Sequence, residues 1–294
     1  MSLVKGIITT MVLILNTLIW VPILIFFSIL KLMLPFKVVR SYLSKFLVWI
    51  ASNWVWVNSY FHELIHGRKV VVEGLDQLKM DDWYLVVSNH RSGADIPILQ
   101  NIFRNKIPFL KFFLKKELIW VPFLGIAWWA LDFPFMRRFS AEYLAKNPHM
   151  KGKDLEITKK ACEKFKEYPI SVVNFVEGTR FSVEKHKKQH SKFRNLLKPK
   201  SGGVGFVLGS MGTQMKYLVQ VSIKYSPTAP TTWGYLTGDF ERVNIYIEKI
   251  EIPDNLKNRN YITDMPFRKN LQAWLNELWH NTDNKLDDVR ERNE

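Results

Sequence analysis

His90 and Asp95 stand five positions apart in "SNHRSGAD", between the apolar run "WYLVV" and the segment "IPIL". The run before them reads as a buried strand and the segment after them as the start of a helix, which puts both at a strand-to-helix turn. On one regular helix, residues five apart point about 140° away from each other, so the pair meets only if the turn breaks the helical period. With Asp95 capping a helix that begins at Ile96 and Pro97, and Gly93 in the loop, the carboxylate folds back onto the imidazole. The aspartate then fixes the histidine tautomer and stabilises its cation, leaving the other ring nitrogen as general base for a hydroxyl. The plainer alternative is an N-cap aspartate beside a loop histidine with no joint role.

A second polar turn follows another apolar strand. In "NFVEGTR", Asn174 to Arg180, Glu177 and Arg180 flank Gly178 and Thr179. Ligands of α/β sheets collect beyond the carboxyl ends of the strands, so two such turns can line one pocket. Arg180 can fork onto a phosphate, or sit in a surface salt bridge. "FMRR", Phe135 to Arg138, adds two guanidinium groups with the same pair of readings. No serine or cysteine lies in a nucleophile-elbow pattern. "HELIH", His62 to His66, matches the zinc-protease pattern of two histidines one turn apart with a glutamate between. Lys69 stands where the metzincin extension needs glycine, and a polar end to a Trp-rich helix is the favoured reading. His186 and His190 lie among lysines and read as a solvated face.

These turns need a scaffold. With 294 residues and 47% hydrophobic content, one large domain or two small ones can bury a core, and disorder is excluded. A net charge of +15 and a pI near 9.7 favour acidic partners: nucleic acid, an anionic membrane surface or phosphorylated small molecules. The single cysteine, Cys162, excludes an intrachain disulfide framework and reads as a small core residue. From Ile7 to Leu30 no residue is charged, a stretch longer than the ~20 residues a bilayer helix needs, with Pro22 placed to kink it. Lys31, Lys37, Arg40 and Lys45 follow it, which places the C-terminal bulk in the cytoplasm. The second uncharged run, Phe46 to Phe61, carries Trp49, Trp54 and Trp56 and suits a helix in the interface.

From about Arg68 strands and helices alternate. "RKVVVEGLDQL", "WYLVVSN", "ISVVNFVEG" and "YLVQVSIKY" read as strands; "IPILQNIF", "DLEITKKACEKFKEY", "GGVGFVLGSMG" and "DMPFRKNLQAWLNELW" read as helices. "FLKFFLKKELIWVPFLGIAWWALDF" reads as a helix leading into another buried stretch. The expected architecture is α/β: a single mixed-sheet domain over residues 67–280, flanked by helices, after an N-terminal membrane-embedded helical element over 1–66 and before a charged tail over 281–294.

At these residues the chain resembles the PlsC-type glycerolipid acyltransferases. "NHRSGAD" matches that family's Asn-His-x4-Asp block, "FMRR" its second block and "FVEGTR" its third, in order. "TRFSVEKHKKQHSKFRNLLKPKSGGVGF" is similar to the branch containing lysocardiolipin acyltransferases, and Gln220 stands where many members carry proline. The resemblance implies that His90 is the base and Asp95 its orienter, and that Arg138, Glu177, Gly178, Thr179 and Arg180 help seat the acceptor. It implies acyl transfer from acyl-CoA or acyl-acyl carrier protein to a lysophospholipid, 1-acyl-sn-glycerol 3-phosphate first, with lysophosphatidylglycerol or lysocardiolipin as alternatives. No cofactor, metal or nucleic acid is expected. The bilayer is the expected partner, with the acyltransferase domain on the cytoplasmic face of the inner membrane. Two other classes are weighed: a membrane zinc protease built on HELIH, and a non-enzymatic binder of acidic lipid.

Overall fold

The computed structural model describes residues 2–121, 124–136, 146–147 and 168–291. Two long helices, α1 (Ser2–Met33) and α2 (Lys37–His66), precede β1 (Val70–Glu73), β2 (Tyr84–Ser88) and α3 (Asp95–Ile102). Next come β3 (Leu110–Phe112), β4 (Leu114–Lys115), a 3-10 turn (Lys116–Trp120), α4 (Leu124–Ala130), β5 (Phe135–Met136) and β6 (Ser171–Phe175). The chain continues through α5 (Val183–Gln189), α6 (Gly202–Met211), β7 (Tyr217–Ser226), α7 (Thr232–Thr237), β8 (Arg242–Glu251) and α8 (Met265–Glu291). Arg138, Cys162 and the stretch "DLEITKKACEKFKEY" up to its last residue, Tyr168, lie outside the described residues.

The main sheet has six strands in the order β1-β8-β7-β2-β6-β3. β2 is central: Tyr84–Ser88 runs parallel to Tyr217–Val221 of β7 and to Ser171–Phe175 of β6. β7 and β8 pair antiparallel, so the sheet is mixed. All five residues of β2 are buried, because helices cover both faces and a strand so placed needs no polar alternation. Alternate side chains feed two cores. Leu85, Val87 and Val172 pack on one face with residues of α6 and α8, such as Val207, Leu271 and Trp279. Tyr84, Val86 and Val173 pack on the other with Ile98 and Leu99 of α3.

Two expectations are corrected here. The run starting at Phe109 does not begin as a helix: Leu110–Phe112 adds an edge strand beside β6, Lys116–Trp120 forms a 3-10 turn, and the α-helix of this region is Leu124–Ala130. The apolar residues between Lys111, Lys115, Lys116 and Glu117 are too few to set a period that separates the two states, and the open edge of β6 decides it. The boundary expected at residue 281 falls inside α8, which carries the buried Thr282, Asp283 and Leu286 beyond it.

The helices α1 and α2 form an antiparallel hairpin. Asn16 Nδ2 donates to Trp54 O (2.9 Å) and Asn58 Oδ1 (2.8 Å), and Trp54 Nε1 donates to Thr17 Oγ1 (3.1 Å). By length and composition α1 is able to cross a membrane. Both of its ends are tied to the same domain. Gly6 passes so close to α7 that a Cβ there would come within 2.6 Å of the Thr237 methyl. At the other end, Lys31 Nζ donates to Ala130 O and to Asp132 Oδ2, both at 2.9 Å. Along the middle, Leu24, Leu47 and Ile50 share a core with Ala127, Ala130 and Phe133. The outer side is apolar, with Leu18, Phe26, Met33 and Tyr42 all more than 60% exposed.

Candidate active site

Where β2 ends, its backbone turns away from β7 and a side chain takes over the pairing. Asn89 Oδ1 accepts from Ile223 N (2.8 Å) and Asn89 Nδ2 donates to Ile223 O (2.9 Å), reproducing the two bonds of a strand residue. This anchors the turn that presents His90. The imidazole stacks on Phe175 from the end of β6, with centroids 4.1 Å apart and planes 15° off parallel. Its Nδ1 lies 2.8 Å from Asp95 Oδ2, and 16% of the histidine side chain reaches solvent.

The dyad forms, but Asp95 is not a cap. It is the first residue of α3, Ala94 holds the N-cap position, and no side chain caps that helix end. The carboxylate reaches back over the loop instead: Oδ2 accepts from Arg91 N (2.7 Å) and Ser92 N (3.0 Å) as well as from His90. Oδ1 accepts from the Tyr225 hydroxyl at 2.7 Å. A completely buried carboxylate is tolerated when its lone pairs meet donors in this way. With Oδ2 acting as an acceptor throughout, Nδ1 carries a ring proton, and the neutral ring then presents its lone pair at Nε2. Tyr225 was not singled out from the sequence. It lies on β7, 130 positions from its partner, and no local pattern marks it. Burial, reinforced by the Asp95 charge, pushes its phenol well above the usual tyrosine range, so it stays a donor.

The second turn is joined to the first. Phe181 N donates to His90 O at 2.8 Å, and the parallel register of β2 and β6 brings both strand ends to one edge. Gly178 takes a φ of +71°, where a side chain would be strained, and its N–H closes the turn onto Phe175 O (2.9 Å). The Glu177 carboxyl points inward, completely buried, and accepts from Leu197 N at 3.2 Å. Burial raises its pKa to about 8, against the opposing pull of the Leu197 amide, the Arg91 guanidinium and the His90 amide. Lys185 Nζ donates to Thr179 Oγ1 (2.8 Å) and Arg180 O (2.9 Å). Arg180 is exposed, and its Nη1 lies 3.9 Å from where a Cβ on Gly93 would sit, at the lip of the His90 turn. Arg91 stacks over Phe181, 4.3 Å from the ring centroid. Two guanidinium groups thus flank the histidine. Arg91 was visible inside the motif, but its spacing gave it no role.

The other histidine pairs are engaged elsewhere. His62 Nε2 bonds Tyr235 O (2.9 Å), and its ring stacks on Tyr235; His66 Nε2 bonds Thr9 Oγ1 (2.9 Å). Among the described residues no group of three or more His, Cys, Asp or Glu side chains lies close enough to hold a metal ion. His186 Nε2 bonds Phe193 O (2.6 Å), and His190 ends α5 in a left-handed conformation. Gln220 faces away from the site: its amide donates to Leu278 O (2.7 Å) and to the Thr282 hydroxyl of α8.

A family model described as Acyltransferase matches residues 69–215. An uncharacterized acyltransferase of Saccharomyces cerevisiae is 24% identical over 249 residues, which covers 71% of this chain and 59% of the relative. Human 1-acyl-sn-glycerol-3-phosphate acyltransferase delta is 21% identical over 184 residues, covering 59% and 43% respectively. The chain therefore spans about half the length of these curated relatives. Among solved structures, the 1-acyl-sn-glycerophosphate acyltransferase PlsC of Thermotoga maritima superposes with a TM-score of 0.53 at 17% identity, covering 95% of this chain and 98% of that one.

Proposed function

The chain belongs to the acyltransferase family, and we propose that it moves a fatty acyl group from a thioester donor to the free hydroxyl of 1-acyl-sn-glycerol 3-phosphate, giving phosphatidic acid. The observation that carries this reading is the His90–Asp95 pair at 2.8 Å, with its carboxylate held by three further donors and its ring partly open to solvent. His90 Nε2 takes the proton of the acceptor hydroxyl as that oxygen attacks the thioester carbonyl. Asp95 stabilises the imidazolium so formed. Collapse of the tetrahedral intermediate breaks the carbon–sulfur bond, and the leaving thiolate takes the proton from His90. An ester and a free thiol result, with no acyl-enzyme. Arg180, with Arg138, seats the acceptor phosphate; Gly178 and Thr179 shape the turn, and Glu177 holds it from behind.

The α1–α2 hairpin supports a bilayer substrate. Because both ends of α1 are tied to one domain, we place residues 1–66 along one leaflet, with the acyltransferase domain from residue 67 on the cytoplasmic side of the inner membrane. The test is transfer of a labelled acyl group by the purified protein into a panel of lysophospholipids. Strongest labelling of lysophosphatidic acid is expected. Preference for lysophosphatidylglycerol or lysocardiolipin would reassign the acceptor, and no transfer to any would refute the reading.

A further inference from the structure

A cavity of about 190 Å³ lies between α2, the end of α3 and the start of β3, with room for roughly six times the share of one water in the liquid. Lys45, Trp49 and Asn53 line it from α2, four residues apart and therefore on one face of that helix. Arg104, just past α3, lines the other side, and Phe103 and Phe109 add apolar walls. Among the described residues no carboxylate lines it. The eight residues of α3 make about 12 Å of helix, and Asp95 stands at the end away from Arg104, so the cavity is separate from the His90 turn.

The amides of Asn53 and Gln100 are already engaged here, and the cations are not paired. Asn53 Oδ1 accepts from Arg104 Nη2 (3.1 Å), Asn53 Nδ2 donates to Trp49 O (2.8 Å), and Gln100 Nε2 donates to Leu110 O (3.3 Å). The bond to Asn53, with the Trp56 ring 5.4 Å from the guanidinium carbon, holds Arg104 in place. Its Nε is buried with no acceptor among the described residues, a costly state for a donor. Lys45 is exposed, its amine 5.9 Å from the Tyr42 ring centroid. Neither cation forms an ion pair among the described residues. Two cations without counter-charge beside apolar walls suit a phosphate that carries a hydrocarbon tail.

The hairpin selects the source of that phosphate. Trp49 is half exposed, stacks on Phe46 with centroids 5.6 Å apart, and meets Trp20 of α1 edge-on at 5.9 Å. One wall of the cavity therefore continues into the exposed apolar side of the hairpin. Lysine and arginine beside tryptophan belong at the depth where lipid phosphates lie. We propose that the cavity takes the phosphate of an anionic phospholipid from the leaflet along which the hairpin lies. The phosphate sits between Lys45 and Arg104, the acyl chains run over Trp49 and Phe46, and the bound lipid fastens α2 to α3. The inference rests on the placement of the hairpin given above and not on acyl transfer.

The test uses full-length protein in neutral detergent micelles carrying either phosphatidylglycerol or phosphatidylcholine. Native mass spectrometry should show one phosphatidylglycerol retained per chain and retention of phosphatidylcholine about tenfold weaker or less. Phosphatidylglycerol should also raise the melting temperature by about 5 °C. Lys45→Gln/Arg104→Gln should lose both the retention and the shift. Lys45→Glu changes an exposed residue and leaves the bond between Arg104 and Asn53 in place, so it guards against a folding defect; retention should fall about tenfold. Lys37→Gln/Lys106→Gln removes the same charge at exposed positions outside the cavity and should retain lipid as the wild type does. Equal retention by wild type and the cavity variants overturns the proposal. So does an equal loss in the control pair, which would reduce the effect to general membrane charge. If glycerol 3-phosphate alone reproduces the thermal shift, the site serves a soluble phosphate and the lipid is the wrong occupant. Sedimentation on phosphatidylglycerol vesicles separates the two readings: wild-type protein that pellets but retains no lipid refutes the site alone, whereas protein that stays in solution refutes the placement of the hairpin as well.

Discussion

Replacing Asp95 by asparagine separates catalysis from folding. The carboxylate accepts four bonds, three at Oδ2 and one at Oδ1. An asparagine with its oxygen in the place of Oδ2 keeps three donors, and its amide nitrogen then donates to Tyr225, whose hydroxyl becomes the acceptor. No bond is lost outright. What disappears is the charge assistance, about 1 kcal/mol for each bond, offset by no longer burying a charge. The net stability cost is about 1–3 kcal/mol, or roughly 2–12 °C in melting temperature at this size. The imidazolium, however, loses its counter-charge at 2.8 Å. A drop in kcat of about 10²–10⁴ follows, equivalent to roughly 2.7–5.4 kcal/mol of transition-state stabilisation. Thermal melts and single-substrate kinetics on wild type, Asp95→Asn, His90→Ala and the double variant measure both quantities. The double variant should be no slower than the worse single one, because the pair acts as a unit. An Asp95→Asn protein that melts within this range and keeps more than about a tenth of wild-type kcat would refute the dyad.

Three further outcomes are expected. Tyr225→Phe leaves Asp95 Oδ1 buried without its donor, so stability should fall by about 1–3 kcal/mol and kcat about tenfold, with KM for both substrates unchanged; a shift in KM alone would remove Tyr225 from the catalytic network. Glu177 binds a proton in the fold up to a pKa of about 8, against an ordinary value of 4.5, so its contribution to stability is complete below pH 4.5 and declines as pH rises toward 8. Glu177→Gln should flatten that decline, with the variant gaining on wild type by on the order of 2–4 kcal/mol across the interval; parallel pH–stability curves would contradict the buried acid. Arg180→Lys keeps the charge but loses the planar fork, so KM for a phosphate-bearing acceptor should rise about tenfold while KM for the donor holds; the reverse pattern would move Arg180 to the donor side.

Much of this was legible in the chain, for identifiable reasons. The apolar runs of β2, β6 and β7 announce themselves because a sheet covered on both faces needs no polar alternation, and the turns at their ends carry the polar residues in compact blocks. Asp95 was read in contact with His90 but one position out as a cap, since carboxylates suit both the N-cap and the first turn of a helix. Leu110–Phe112 is hard to separate from helix because three bulky residues broken by a lysine fit an edge strand as well as a helical turn, and only Lys116–Trp120 after it coils, as a 3-10 turn. Tyr225 was invisible: its alternation on β7 places it among core residues, and only the register of β7 beside β2 brings its hydroxyl under Asp95. The inward turn of Glu177 was equally hidden, since its partner, the Leu197 amide, lies 20 residues on.

The hairpin has a practical consequence for anyone preparing this protein. An anchor that merely tethers can be cut away to leave a soluble enzyme. Here, deletion up to His66 would strip Leu47 and Ile50 from Ala127, Ala130 and Phe133, and would remove His62 from its stack on Tyr235. The truncated chain would trade a greasy outer surface for an exposed inner one and gain little solubility. Recoding the outward residues of α1, such as Leu18 and Phe26, while leaving Asn16, Leu24 and Lys31 in place, is the route that respects how the helix is used.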